Sequence, residues 1–218
     1  GGETSYTLRV SLHEKNDAVF QSAERIIGGG GEETLISFPA VPIDKEIYVK
    51  ASLFKNNSLV YSGKTEVIKV VKGDNRVKLA LDKSYMVTFS WEGQTKQIEV
   101  KSGNLIPVSE IPEIYAPDGK AVVWYNGNNA FSFSNGINEE LSLSSKVVDI
   151  TAETVCDVIK SCYGDMEQLV KLQGNCSSDL VIKMGVALKE NPNAKIILDL
   201  GDVTGLTEIS YEAFVHNN

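Results

Sequence analysis

The chain has 218 residues, of which 42% are hydrophobic and 23% charged, with a formal net charge of −8. That size allows two or three small domains. The scattered Lys and Arg form no basic stripe able to neutralise a phosphate backbone, which excludes nucleic acid as a partner. No apolar run approaches the roughly 18 residues that a membrane-crossing helix needs.

The first segment has strand periodicity. Tyr6, Leu8, Val10 and Leu12 alternate with polar residues, as do Ile47, Val49, Ala51 and Leu53, and again Val77, Leu79 and Leu81. Side chains repeat every two residues in a strand, so each run buries one face. Asn56-Asn57-Ser58 and Gly73-Asp74-Asn75 are turn signals between runs. Short alternating strands separated by turns predict an Ig-like β-sandwich over residues 1–83. The Gly28–Gly31 run lacks the Lys-Ser/Thr that follows the glycines of a phosphate loop and reads as a plain loop, so no cofactor-binding residue is assigned.

Residues 84–148 are richer in aromatics, Gly, Pro and Asn. Val87, Phe89 and Trp91 alternate until Gly93, and Ile98 and Val100 form a second strand closed by Ser102-Gly103-Asn104. Pro107, Pro112 and Pro117 exclude a continuous helix or central strand between them. Short strands are expected at 122–125, 131–133 and 141–143. So small a β-rich module needs large side chains for its core, which places Phe89, Trp124 and Phe133 inside and leaves Trp91 and Tyr125 as the exposed aromatics.

From Asp149 the period becomes helical. Val155, Val158, Ile159 and Cys162 lie on one helix face, with Thr151 placed to cap it and Gly164 to stop it. A strand at 169–172 follows. Ser177 or Ser178 caps a second helix with the face Leu180, Met184, Ala187 and Leu188, ended by Asn191-Pro192. A strand at 195–200 precedes Val203, Leu206 and Ile209, apolar residues at steps suited to one coil of a leucine-rich repeat. Residues 149–218 thus read as a helix–strand–helix segment followed by one such coil, and the similarity of that segment to the one that starts leucine-rich-repeat arrays in bacterial lipoproteins implies that it is the N-terminal cap of a solenoid.

Catalytic chemistry has little material here. His13 and His216 are the only histidines and lie near opposite ends of the chain, so no catalytic residue is assigned. Cys156, Cys162 and Cys176 lack a CxxC pair, so no metal-ligating residue is assigned either. They read as buried thiols, with a Cys162–Cys176 disulfide as the alternative.

The stretch Ile196-Ile197-Leu198-Asp199-Leu200-Gly201-Asp202-Val203-Thr204-Gly205-Leu206-Thr207-Glu208-Ile209, with Ala213-Phe214 after it, resembles the entry to a BspA-like leucine-rich-repeat array. Val87-Thr88-Phe89, Gly93, Val100, Gly103, Ile111-Pro112, Gly119, Trp124-Tyr125, Phe131, Phe133 and Leu141-Ser142-Leu143 resemble an internalin-type B-repeat, a β-grasp-like module. Val123 departs from it where that family carries Gly, and Ser145-Lys146-Val147 replaces its closing motif. These resemblances imply a non-enzymatic bacterial surface protein, exported and lipid-anchored through a segment preceding Gly1, that binds a host or bacterial surface protein. They place Asp199 on the partner-binding face. The alternative is carbohydrate binding, or an accessory role in polysaccharide processing, through exposed aromatics of the middle module.

Overall fold

The computed structural model describes residues 5–28, 33–164 and 167–209. Most of the Gly28–Gly31 run, Ala213-Phe214 and His216 lie outside the described residues. The chain is mainly β and divides into two compact units, residues 1–86 and 87–218. No helix among the described residues is long and apolar enough to cross a membrane.

The first unit is built on an antiparallel sheet. β1 (Ser5–Glu14), β2 (Val19–Gly28), β3 (Glu46–Lys55) and β4 (Ser58–Lys64) run in the order β2-β1-β3-β4, and the short β5 (Ile68–Lys69) pairs with the start of β3. The Asn56-Asn57 turn joins β3 to β4 with both residues at positive φ, +50° and +67°, the twist a tight hairpin needs. Leu8, Val10 and Leu12 of β1 are buried with Ile47 and Ala51 of β3, so the period-2 reading of these strands holds.

The layer over that face is made of irregular chain rather than a second ladder. Ile36, Phe38, Leu79 and Leu81 pack around Leu8, Val10 and Ala51, and Phe38 and Val41 around Leu12 and Ile47. The strand expected at 77–81 is therefore absent. Its leucines point inward, but the segment lies against β4 so closely that a Cβ on Gly63 would sit 2.4 Å from the Ala80 carbonyl oxygen. Glycine makes that approach possible.

β6 (Asp82–Trp91) contributes residues 82–83 to pairing with β4, and residues 87–90 to the second unit. It turns through Glu92-Gly93, both at positive φ, into β7 (Gln94–Lys101). β8 (Lys120–Asn126), β9 (Asn129–Ala130) and β10 (Leu141–Asp149) complete a mixed sheet of order β7-β6-β10-β8-β9. β10 is parallel to β6 and antiparallel to β8. The strand expected at 131–133 is not formed. The ladder ends at Ala130, and one further bond, from the Phe131 amide to the Trp124 carbonyl, lets Phe133 turn into the core. Phe89, Trp124 and Phe133 are all buried, and the Phe89 and Trp124 rings meet edge to face at 5.0 Å.

The helical part belongs to the same unit. α1 (Val155–Ser161) and α2 (Ser178–Lys189) flank β11 (Gln168–Asn175), and β12 (Ile196–Thr204) pairs parallel with β11. Ser177 caps α2, its Oγ accepting from the Leu180 amide at 3.2 Å. Thr151 does not cap α1. It opens a preceding turn, and the helix starts after Thr154. The face of α2 is rotated from the expected one, with Val181, Met184, Gly185 and Ala187 buried and Leu180 and Leu188 at its margins. The helix reaches both α1 and the strands, so its covered sector is centred between the two.

Val123 and Tyr125 of β8 join one apolar cluster with Val155, Val158 and Ile159 of α1, Val170 and Leu172 of β11, and Val181 and Met184 of α2. The boundary expected between residues 148 and 149 thus falls inside a shared core. One strand–helix–strand coil is present, but no solenoid is seen among the described residues, because β11 and β12 form a sheet of only two strands.

The link between β8 and α1 is also polar. The Trp124 amide donates to Ser161 Oγ at 2.7 Å in a buried site. Removing the hydroxyl strands a buried N–H. Ser161→Ala should lower stability by about 1–3 kcal/mol in urea unfolding, whereas Ser→Ala at exposed Ser142 should change it by less than about 0.5 kcal/mol.

Candidate functional site

The β11–β12 sheet has an inward and an outward face. Val170, Leu172, Leu198 and Leu200 turn toward the apolar cluster. By strand alternation Leu169 and Lys171 share the other face with Ile197 and Asp199, and register pairs Leu169 with Ile197 and Lys171 with Asp199. Leu169 is 61% exposed and Ile197 45%, two large aliphatic side chains side by side in solvent. Lys171 Nζ pairs with Asp202 at 2.6 Å across a bulge in the ladder, and Asp199 Oδ1 accepts from the Gly201 amide at 2.9 Å. By the same alternation Asp199 is on the outward face, half-buried, with its carboxylate partly used in the local turn. The exposed pair beside it was not legible as a site, since each residue alone reads as an ordinary strand aliphatic.

The middle-module aromatics do not form a flat exposed row. Tyr125, expected at the surface, is 8% exposed because α1 covers its face of β8, and its hydroxyl donates to Asp157 Oδ2 at 3.2 Å. Trp91 is half-buried. A different feature lies nearby. A cleft of about 330 Å³ opens between the β8–β9 hairpin, the loop after β9 and the C-terminal ends of α1 and α2, with Asn126, Asn129, Asn135, Phe131, Lys160 and Glu190 on its walls.

Behind this cleft lies Asn191, which sequence reasoning placed only as a helix stop. It is buried, its Nδ2 donating to the carbonyls of Ile159 and Cys162 at 2.8 Å each while Oδ1 accepts from Ser134 Oγ at 2.6 Å. One side chain thus satisfies the end of α1 and ties it to the loop after β9. Its partners are about thirty residues away on one side and more than fifty on the other, so no local pattern announces it.

In the first unit His13 has a partner that sequence reasoning missed. Ser11 Oγ lies 2.7 Å from His13 Nε2, and Nδ1 lies 3.1 Å from the Asp17 carbonyl. A carbonyl only accepts, so Nδ1 carries a proton, and in the neutral ring the serine hydroxyl donates to Nε2. Strand alternation could have placed Ser11 and His13 together. The Asp17 carboxylate, however, accepts from Tyr48 at 2.7 Å rather than from the imidazole, and the His13 ring stacks on Tyr48 at 4.8 Å. The carboxylate–histidine contact of a triad is not made. The cluster ties the β1–β2 turn to β3, and burial with the nearby carboxylate pushes the Tyr48 phenol up to about 12.

All three cysteines are free, with Cys162 and Cys176 buried. Among the described residues no group of three His, Cys, Asp or Glu side chains is placed to hold a metal ion. Comparison with known proteins gives no match to a family model, a curated protein or a solved structure.

Burial raises the Cys162 thiol from 9.0 to about 12. Between those values the unfolded chain loses this proton and the folded chain keeps it, so the stabilisation is full below pH 9 and is lost as pH rises toward 12. Urea midpoints should therefore fall above pH 9, and a Cys162→Ala variant should show a shallower fall than the parent chain.

Proposed function

We propose that this chain is part of a non-enzymatic, exported and lipid-anchored bacterial surface protein that binds another surface protein through the outward face of β11–β12. The observation that carries the reading is the adjacent exposed pair Leu169 and Ile197, rimmed by Lys171, Asp199 and Asp202. An apolar centre with a charged margin is how protein interfaces concentrate their binding energy.

The architecture supports the family expectations behind this proposal. β11 and β12 pair in parallel at an offset of 28 residues, from Gln168 to Ile196, rising to 29 beyond the bulge. Leucine-rich repeats have periods of about 20–29 residues and stack their strands in parallel. Val170 and Leu172 are fully covered, Leu198 and Leu200 only partly, and Ile209 is 52% exposed. That gradient fits a coil whose far side would be covered by another coil. In the middle segment, the order β7-β6-β10-β8 with parallel β6 and β10 fits a β-grasp-like B-repeat. In the first unit, the antiparallel sheet covered by irregular chain fits an Ig-like sandwich module.

The test measures surface plasmon resonance of the chain against immobilised fibronectin, fibrinogen, collagen and mucin, with binding to intact epithelial cells alongside. Binding to at least one target is expected, weakened about tenfold or more by Leu169→Asp with Ile197→Asp, while thermal unfolding stays that of the parent. Equal binding by the double variant would remove the face from the mechanism.

A further inference from the structure

The cleft beside the β8–β9 hairpin has the chemistry of a ligand site distinct from the β11–β12 face. At about 330 Å³ it falls at the lower end of the roughly 300–1,000 Å³ usual for small-molecule clefts. Asn126 and Asn129 face each other across the two-residue turn, which Gly127 enters at a φ of +62°. Asn135 comes from the loop after β9. Among the described residues none of these three side-chain amides has a protein partner, and all three residues are exposed.

Each primary amide offers two donors and an acceptor, the complement of a hydroxyl group, which both donates and accepts. The charges in the cleft cancel, because Lys160 Nζ and Glu190 Oε2 lie 2.7 Å apart. A phosphate or carboxylate ligand therefore meets no uncompensated cation. Phe131 adds a partly exposed ring, held edge to face by Phe133 at 5.1 Å. Three free amides, a neutralised ion pair and one aromatic ring suit a neutral, many-hydroxyl ligand with an apolar C–H face.

The support beneath the cleft is tied by hydrogen bonds. Ser132 Oγ donates to the Glu190 carbonyl at 2.7 Å, and Ser134 Oγ donates to the buried Asn191 side chain at 2.6 Å. The loop, α1 and α2 are thereby held together before a ligand arrives, which lowers the entropic cost of binding.

We infer that this cleft binds the end of a saccharide, as a mono- or disaccharide unit, through Asn126, Asn129, Asn135 and the face of Phe131. The site is not the exposed aromatic row that composition alone suggests. The sugar instead lies among amides.

The experiment follows the side-chain amide signals of Asn126, Asn129 and Asn135 by ¹H–¹⁵N NMR in the full chain. The titrants are disaccharides covering hexose, N-acetylhexosamine, pentose, deoxyhexose and uronic acid units, with glycine and inorganic phosphate as controls. At least one neutral sugar is expected to move all three amides saturably at millimolar concentration. Asn126→Ala with Asn129→Ala should weaken that binding by about tenfold; both positions are exposed, so an unchanged thermal transition separates a lost contact from a lost fold. Three outcomes overturn the inference: no amide moves with any sugar, the double variant binds as well as the parent, or only glycine or phosphate moves these signals.

Discussion

A strand buried on both faces must be covered twice, and β8 is such a strand. Val123, Trp124 and Tyr125 are consecutive and all buried, so their side chains leave the strand in alternating directions and each direction ends in a core. Trp124 fills the side shared with Phe89. Val123 and Tyr125 fill the side shared with α1, β11 and α2. The sheet of the middle segment and the helical segment are therefore two coats of one strand. The hydrogen bond from the Trp124 amide to Ser161 adds a directional link to a contact that burial alone would leave free to slide.

The two proposed binding surfaces depend on that arrangement. Val170 and Leu172 are held inward by the cluster that β8 helps to form, and the alternation of the strand then forces Leu169 and Lys171 outward. The cleft forms because α1 and α2 end together beside the β8–β9 hairpin, with Asn191 joining their ends to the following loop. Neither surface is made by one element. Each is what remains when a buried face has been satisfied, and its exposed groups are those the core did not use.

The first unit uses a different economy. One face of its sheet carries the aliphatic core, and irregular chain around Phe38 and Leu81 covers that face without a ladder of its own. Alternation was legible in β1 and β3 because the aliphatic residues of each share one face, although Ser52 and Phe54 are buried on the other face of β3. At 77–81 the same alternation appeared without a strand, since inward-facing leucines need only an apolar neighbour, while a strand also needs a hydrogen-bonding one. The Ser11–His13 pair shows the limit from the other side: strand periodicity places both residues on one face, but only the fold brings in Tyr48 to stack on the ring and occupy Asp17.

By itself the sequence determined the mainly β character, the two late helices with a serine at 177 or 178 capping the second, the β6–β7 and β3–β4 turns and the burial of Phe89, Trp124 and Phe133. These follow from interactions within a few residues, from periodicity, or from the scarcity of large side chains able to fill a small core. Tertiary structure alone decided that Tyr125 is covered, that α2 turns Val181 rather than Leu180 to the centre, and that residues 87–148 and 149–209 share a core. It also decided the roles of Asn191 and the unpartnered Asn126, Asn129 and Asn135. Burial and hydrogen-bond partnership depend on which distant segment lies opposite a side chain, and a residue does not carry that information in its neighbours along the chain.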